Sequence, residues 1–430
     1  MFRDIINTIG ARYLVAFLNL LLIFVNSKVL GREGMGMVGV IYASANLAVI
    51  FNSILCGNTI VYFMNRYNLR YVFFPAYIWA FAGSVIACGV MYVSGMLPEK
   101  YELAVFALAV LMSLVSADTL MLLGKDHVKG FNRVFILQGV LMFVVLLCIY
   151  FVADCKNING YLTGLFAAYV AACVYGFVLL LPHLPEKKNN PVDASFWKVL
   201  KEMFIYGVWS GADNLAEGLA TRLNYFLVRN AGGYGNVGLL DSGTKISESV
   251  WHISNSVSYM EYNSVSKTTD RKEQKRVTLQ LFKLTYCALA VVILVVICVP
   301  ERIYTEYLLT PEFAGIRKVI VGLSPGIVAL GSNRILSHYF IGSGSIKYSV
   351  FSSVSGLVIL LVAGVILIPV HGVFGAALTC SVAYTGMLFF SLVVFMKQTE
   401  TSLKELLPSH KDWVKLCEKI RHAVNSFFTF

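Results

Sequence analysis

Three charged residues, Asp213, Glu217 and Arg222, sit near the middle of an apolar run covering residues 204–230. Carboxylates one helical turn apart repel each other, so burying them lets a proton or Na+ bind between them. Asp213 and Glu217 are therefore candidates for ion coupling. The alternative is that they only neutralise Arg222, Lys245 or Arg12 across the interior. Ser210, Asp213, Glu217, Thr221 and Asn224 recur at steps of three and four, so a helix gathers them into one stripe. A second stripe follows in Asp241, Lys245, Glu248, His252, Asn255 and Tyr259. Its alternating steps of four and three predict a single helical face, with Asp241 and Glu248 as further ion-coupling candidates. Thr8, Arg12, Asn19 and Asn26 form a weaker stripe, and Arg334 with His338 share a later run. Asp118, near the end of its run, reads as interfacial.

The basic members suit an anionic substrate, because guanidinium groups grip phosphate oxygens in bidentate fashion. Arg12, Arg222, Lys245 and Arg334 are the candidates, with Asn224 and His252 as neutral partners. The competing reading is internal pairing, Asp241 with Lys245 and Lys245 with Glu248. His252 fits a hydrogen-bonded interior histidine more readily than a proton relay. The sequence has no nucleophile elbow, no zinc motif and no Walker lysine after its glycine clusters, so the expectation is a protein that is not an enzyme and needs no cofactor beyond a coupling ion.

The elements that hold these residues follow from energetics. A charge at a helix centre costs roughly 2.5–3.5 kcal/mol on the insertion scale, so three cost roughly 7–10. The Leu, Ile, Phe and Val residues of 204–230 return about 3–5 kcal/mol in total. The segment must face protein or a wet cavity rather than lipid. The whole chain is 430 residues long, 57% hydrophobic and 14% charged. Soluble proteins run at about 25% charged, so this composition is that of a polytopic membrane protein. All-α architecture follows, since an open sheet cannot satisfy its backbone in lipid. About twelve spans are predicted, near 7–29, 36–63, 72–95, 102–123, 133–153, 160–182, 203–229, 235–262, 278–299, 315–341, 347–369 and 373–396.

The net charge of +11 does not mark a nucleic-acid binder, because the basic residues follow alternate loops instead of one face. One set of loops and the tail hold most of them, which by the positive-inside pattern puts both termini in the cytoplasm. The nine cysteines are scattered and read as small core hydrophobes. After Pro408 the tail reads as an amphipathic helix resting on the inner membrane surface.

The chain also echoes itself. Gly10-Ala11, Lys28, Gly31 and Gly34 return 201 positions later as Gly211-Ala212, Arg229, Gly232 and Gly235. Gly160 and Gly164 are matched by Gly372 and Gly375. The expected organisation is a six-helix lobe over 1–195, a pseudo-symmetric six-helix lobe over 196–397, and a tail over 398–430. Internal repeats around a central site are a common plan in secondary transporters.

The stretch NSKVLGREGMGMVG from Asn26 resembles the junction of the first two spans in polysaccharide (O-antigen, Wzx-type) flippases, with Lys28 where those commonly carry Arg. VRNAGGYGNVG from Val228 is similar, and GYLTG from Gly160 and GVFGAA from Gly372 look like that family's openings of spans six and twelve. These flippases share a superfamily with the multidrug and toxic-compound extruders (MATE) and the lipid II flippase. The resemblance implies a MATE-like fold, two lobes facing a cavity that opens alternately to each side. It further implies transfer of an undecaprenyl-diphosphate-linked oligosaccharide across a bacterial inner membrane. Polysaccharide polymerase and glycosyltransferases would be partners, and nucleic acid would not. It places basic residues such as Arg12 and Arg222 at the substrate and a carboxylate such as Asp213 or Glu217 at a cation. The rival of the same fold is a cation-coupled multidrug exporter.

Overall fold

The computed structural model describes residues 2–64, 66–125, 127–184, 195–266, 268 and 270–406. The amphipathic tail expected after Pro408 lies outside these residues, as does most of the linker between the two halves.

Long apolar runs, three of which carry an internal proline (Pro75, Pro325 and Pro369), give long helices. They are α1 (Phe2–Cys56), α2 (Asn58–Met64), α3 (Leu69–Val93), α4 (Glu102–Gly124), α5 (Val128–Phe151), α6 (Ile158–Leu180), α7 (Phe196–Glu248), α8 (Trp251–Ser266), α9 (Arg271–Cys298), α10 (Ile316–Gly342), α11 (Lys347–Thr399) and the short α12 (Leu403–Leu406). Among the described residues eight stretches are long and apolar enough to cross a membrane. Two of them, Tyr13–Met64 and Lys347–Thr399, are bent pairs, so eight stretches supply ten arms. α7 and α8, which carry the charged stripes, are not among these stretches. Val354, Val358, Leu361, Val362 and Val365 lie exposed along α11, an apolar face suited to lipid.

The bends are where the internal echo becomes physical. Gly31 in α1 has φ 65° and ψ −174°, and Gly233 in α7 has φ 71° and ψ −177°. These conformations are open only to glycine without strain. The matching residue is Gly233, not Gly232, so the spacing that sequence put at 201 is one longer at the bend itself. Gly372 bends α11 with φ 57°, whereas Gly160 sits in the first turn of α6, where its N–H donates to the Asn157 side chain. That second echo is one of position and not of conformation.

Contacts divide the chain into two compact units, Met1–Ser242 with Glu301–Ile316, and Gly243–Pro300 with Arg317–Phe430. In the first unit the two bends interlock. A Cβ on Gly36 would lie 1.8 Å from the Tyr234 carbonyl oxygen, and one on Gly238 would lie 1.9 Å from that of Arg32. Arg32 Nε donates to the Gly235 carbonyl at 2.7 Å, its Nη2 to Asn236 Oδ1 at 2.8 Å, and its backbone N–H to Glu312 Oε2 at 2.9 Å. Lys28 Nζ donates to the Tyr307 carbonyl at 3.0 Å. Arg229 donates to the carbonyls of Gly95 and Met96, the latter at 2.8 Å. The core of this unit gathers Phe63, Val72, Phe73, Ala76, Ala117 and Met121, with the two alanines letting helices approach. In the second unit Leu289, Ile327, Leu330, Phe340, Leu360 and Met387 are buried.

Candidate functional site

In the first unit, the arm of α7 before Gly233 packs against the second arm of α1 through glycines. A Cβ on Gly207 would meet the Ile54 carbonyl oxygen at 1.9 Å, and Gly211 and Gly218 lie against Ile54 and Ile50. The polar stripe is turned roughly 100° from that seam at 3.6 residues per turn. Asp213 is 9% exposed and Asn224 fully buried, with Glu217, Thr221 and Arg222 half-buried. The Thr221 hydroxyl is shared between the carbonyls of Glu217 and Gly218, 3.0 Å from each. The buried members Asp213 and Asn224 are therefore withdrawn from lipid, as the cost of exposing them requires. The side chains of Arg12, Ser210 and Tyr259, all named from sequence, lie outside the described residues.

Asp241, 2% exposed, is held against this arm. The buried Tyr225 hydroxyl donates to its Oδ1 at 3.1 Å, and Arg222 Nη1 lies 3.5 Å from the same hydroxyl. The Arg222 guanidinium also lies 5.8 Å from the Tyr225 ring. Gly39 makes room, since a Cβ there would be 3.1 Å from Asp241 Cγ. A phenol thus links a carboxylate of the second stripe to a guanidinium that lies on neither stripe. Sequence reasoning missed Tyr225. It also missed the buried Tyr150, whose hydroxyl donates to Asn26 Oδ1 at 3.0 Å, and Tyr161 near Asp241. Apolar runs full of aromatics conceal such hydroxyls.

The second stripe is corrected by the backbone. Its spacing predicted one face of one helix, but the helix breaks between Glu248 and Trp251. Across the break the amides of Val250, His252 and Ile253 bond three residues back, a tighter winding than α. No glycine or proline marks it. Lys245 and Glu248 are half-buried and His252 is exposed.

In the second unit, Arg334 on α10 is drawn to α8. Its Nη1 donates to Asn255 Oδ1 at 2.6 Å, and its guanidinium lies 4.4 Å from the Trp251 ring. Trp251 is anchored in turn by its Nε1–H, which donates to the Ile327 carbonyl at 2.8 Å. A guanidinium over an indole ring together with a directed hydrogen bond is an arrangement that suits arginine over lysine. Glu261, off the stripe and not singled out from sequence, is fully buried, and neither carboxylate oxygen has a well-formed hydrogen bond although Thr278 is beside it. Asp118, read from sequence as interfacial, is fully buried in the first unit. Cys56, Cys88, Cys287 and Cys380 are buried as expected for core hydrophobes, whereas Cys148, Cys155 and Cys298 are exposed. Among the described residues, no three His, Cys, Asp or Glu side chains are grouped closely enough to hold a metal ion.

Comparison with protein-family models gives no match, and comparison with curated protein sequences gives none. Solved structures do match. The chain is similar to an inward-facing multidrug resistance MATE family transporter of the MOP superfamily, at TM-score 0.67 and 13% identity, covering 90% of this chain and 94% of that one. It is similar to the lipid II flippase MurJ in an inward closed conformation, at TM-score 0.65 and 14% identity, covering 97% and 92%. It is also similar to the MATE multidrug transporter DinF-BH in a ligand complex, at TM-score 0.66 and 13% identity, covering 91% and 94%. At such identities the likeness is one of fold: this is an all-helical, multi-pass chain with the MATE fold.

Proposed function

We propose that this chain is a flippase that moves a diphosphate-linked, lipid-anchored oligosaccharide across a bacterial inner membrane by alternating access of two lobes. The observation that supports the reading is Arg222, a half-buried guanidinium on the arm that also buries Asp213 and Asn224. Maintaining a cation there costs roughly 2.5–3.5 kcal/mol on the insertion scale, a cost that an anionic headgroup offsets. Arg12, Lys245 and Arg334 are the further basic candidates for the substrate, Asn224 and His252 the neutral ones, and the lipid tail stays in the bilayer. Asp213, Glu217, Asp241 and Glu248 are the groups through which Na+ or H+ drives the cycle. Both termini lie in the cytoplasm, and the enzymes that build and polymerise the glycan are the working partners.

A second reading, a cation-coupled drug exporter, draws support from the burial of Asp213 and Asp241 near the same arm. A drug cation would be held by those carboxylates and repelled by Arg222. The test is Arg222→Ala in cells carrying the native glycan pathway. The expected result is loss of surface glycan with the protein still in the membrane and dye efflux unchanged. Normal surface glycan would remove Arg222 from the substrate path, and lost dye efflux would favour the exporter.

A further inference from the structure

Outside the two stripes, the first unit contains a buried acid that the proposed cycle has not used. Asp118 on α4 is fully buried. Its Oδ1 accepts the Tyr77 hydroxyl of α3 at 2.5 Å, while its Oδ2 is buried without a hydrogen-bond partner. The other titratable groups beside it are the thiols of Cys56 on α1 and Cys173 on α6. Among the described residues no lysine, arginine or histidine pairs with it. A carboxylate with no counter-charge in a low-dielectric interior is costly, and neutralising it with a proton removes most of that cost.

The surroundings distinguish this acid from an inert core residue. Oδ2 faces Gly176 of α6, where a Cβ would come to 3.2 Å, so the helix offers bare backbone at that oxygen. The second span is broken beside it: α1 ends at Cys56 and α2 begins at Asn58. The Thr59 hydroxyl caps the Ile54 carbonyl at 2.9 Å, and Ser116 donates to the Cys56 carbonyl at 3.3 Å. Asn52 continues the polar seam, its amide donating to Ser84 and Ser113 at 2.8 Å each. Interrupted spans with freed backbone groups are where transporters bind coupling ions.

We propose that Asp118 is a proton-binding site of the transport cycle, holding a proton on Oδ2 in this conformation and releasing it to water when the break at Gly57 moves. On release the Oδ2–H bond breaks, the proton passes to water, and Tyr77 stabilises the carboxylate left behind. Proton binding stands on this geometry alone; its coupling to substrate rests on the transport reading above.

The test is pH-titrated infrared difference spectroscopy on the full-length protein in lipid nanodiscs. The expected result is a protonated-carboxyl C=O band at neutral pH with a component abolished in Asp118→Asn, displaced in Tyr77→Phe, and the same in NaCl as in choline chloride, beside any contribution of the buried Glu261. Absence of the band in the wild type, or no loss of intensity in Asp118→Asn, would overturn the site. Removal of that component by Na+ at constant pH would assign the site to a metal cation and overturn the proton. For coupling, Asp118→Asn should reduce glycan export at least tenfold at unchanged membrane abundance. Export at wild-type rate with that component abolished would overturn coupling alone. Loss of export in Asp118→Asn but not in Arg222→Ala would fault the substrate assignment and leave the proton site standing.

Discussion

Single side chains in this molecule are held as often by main chain as by opposite charge. Glu405, outside the spans, illustrates both. Its carboxylate accepts the Ser402 N–H at 3.0 Å and pairs with Lys275 Nζ at 3.0 Å. The Ser402 amide first, and Lys275 after it, hold its pKa down at about 2. A depressed carboxylate stabilises the fold above its ordinary range and loses that contribution only as pH falls through the folded value. Protection of the Ser402 amide in hydrogen exchange is therefore expected to persist below the usual glutamate range and fade towards pH about 2. In Glu405→Gln that protection is expected to be weak at every pH. Legibility at this scale was uneven. Asp213 and Asn224 announced themselves by spacing, because a polar residue inside an apolar run has few places to go. Asp118 did not, since position along a span says nothing about which helices surround it. Tyr225 and Glu261 were missed because one looks apolar in a membrane segment and the other lies past the last position of the stripe and out of its step.

At the scale of elements, three features shape the chain: where arms start, where they bend, and where they break. Starts follow composition and agree with the sequence reading to within several residues. The bends at Gly31 and Gly233 were foreshadowed by glycine clusters, yet only backbone angles locate the hinge residue. The break after Glu248 was invisible, for serine and valine continue a helix as easily as they end one; Trp251, tied to Ile327, fixes where α8 begins. Where the bends interlock, tolerance is lowest. Gly36→Ala and Gly238→Ala would each drive a methyl group into a carbonyl oxygen. Each is expected to cost at least about 2–3 kcal/mol, overpacking that rigid backbone cannot relieve. Thermal unfolding in detergent measures it, with Gly10→Ala, where a Cβ meets nothing within 4 Å, as the control.

For the molecule as a whole, the fold was the most legible level. A chain 57% hydrophobic and 14% charged, with long apolar runs between its charged loops, has few other ways to fold. Substrate is the least legible, because one fold hosts many cargoes and the distinction lies in a few side chains. MATE multidrug transporters and a lipid II flippase both share this architecture. Deleting the chain from its native cell is expected to abolish surface glycan and to leave dye accumulation as it was. The reverse pattern would assign it to drug export.

Lys28 and Arg229 both close on main-chain carbonyls, those of Tyr307 on one side and of Gly95 and Met96 on the other. Such a clasp is blind to the identity of what it grips. Met96 and Tyr307 are free to drift in evolution while the fastening survives, provided Gly95 keeps its left-handed turn (φ 66°). The two cations enjoy no such freedom, and mutational tolerance around this end of the molecule should be lopsided accordingly.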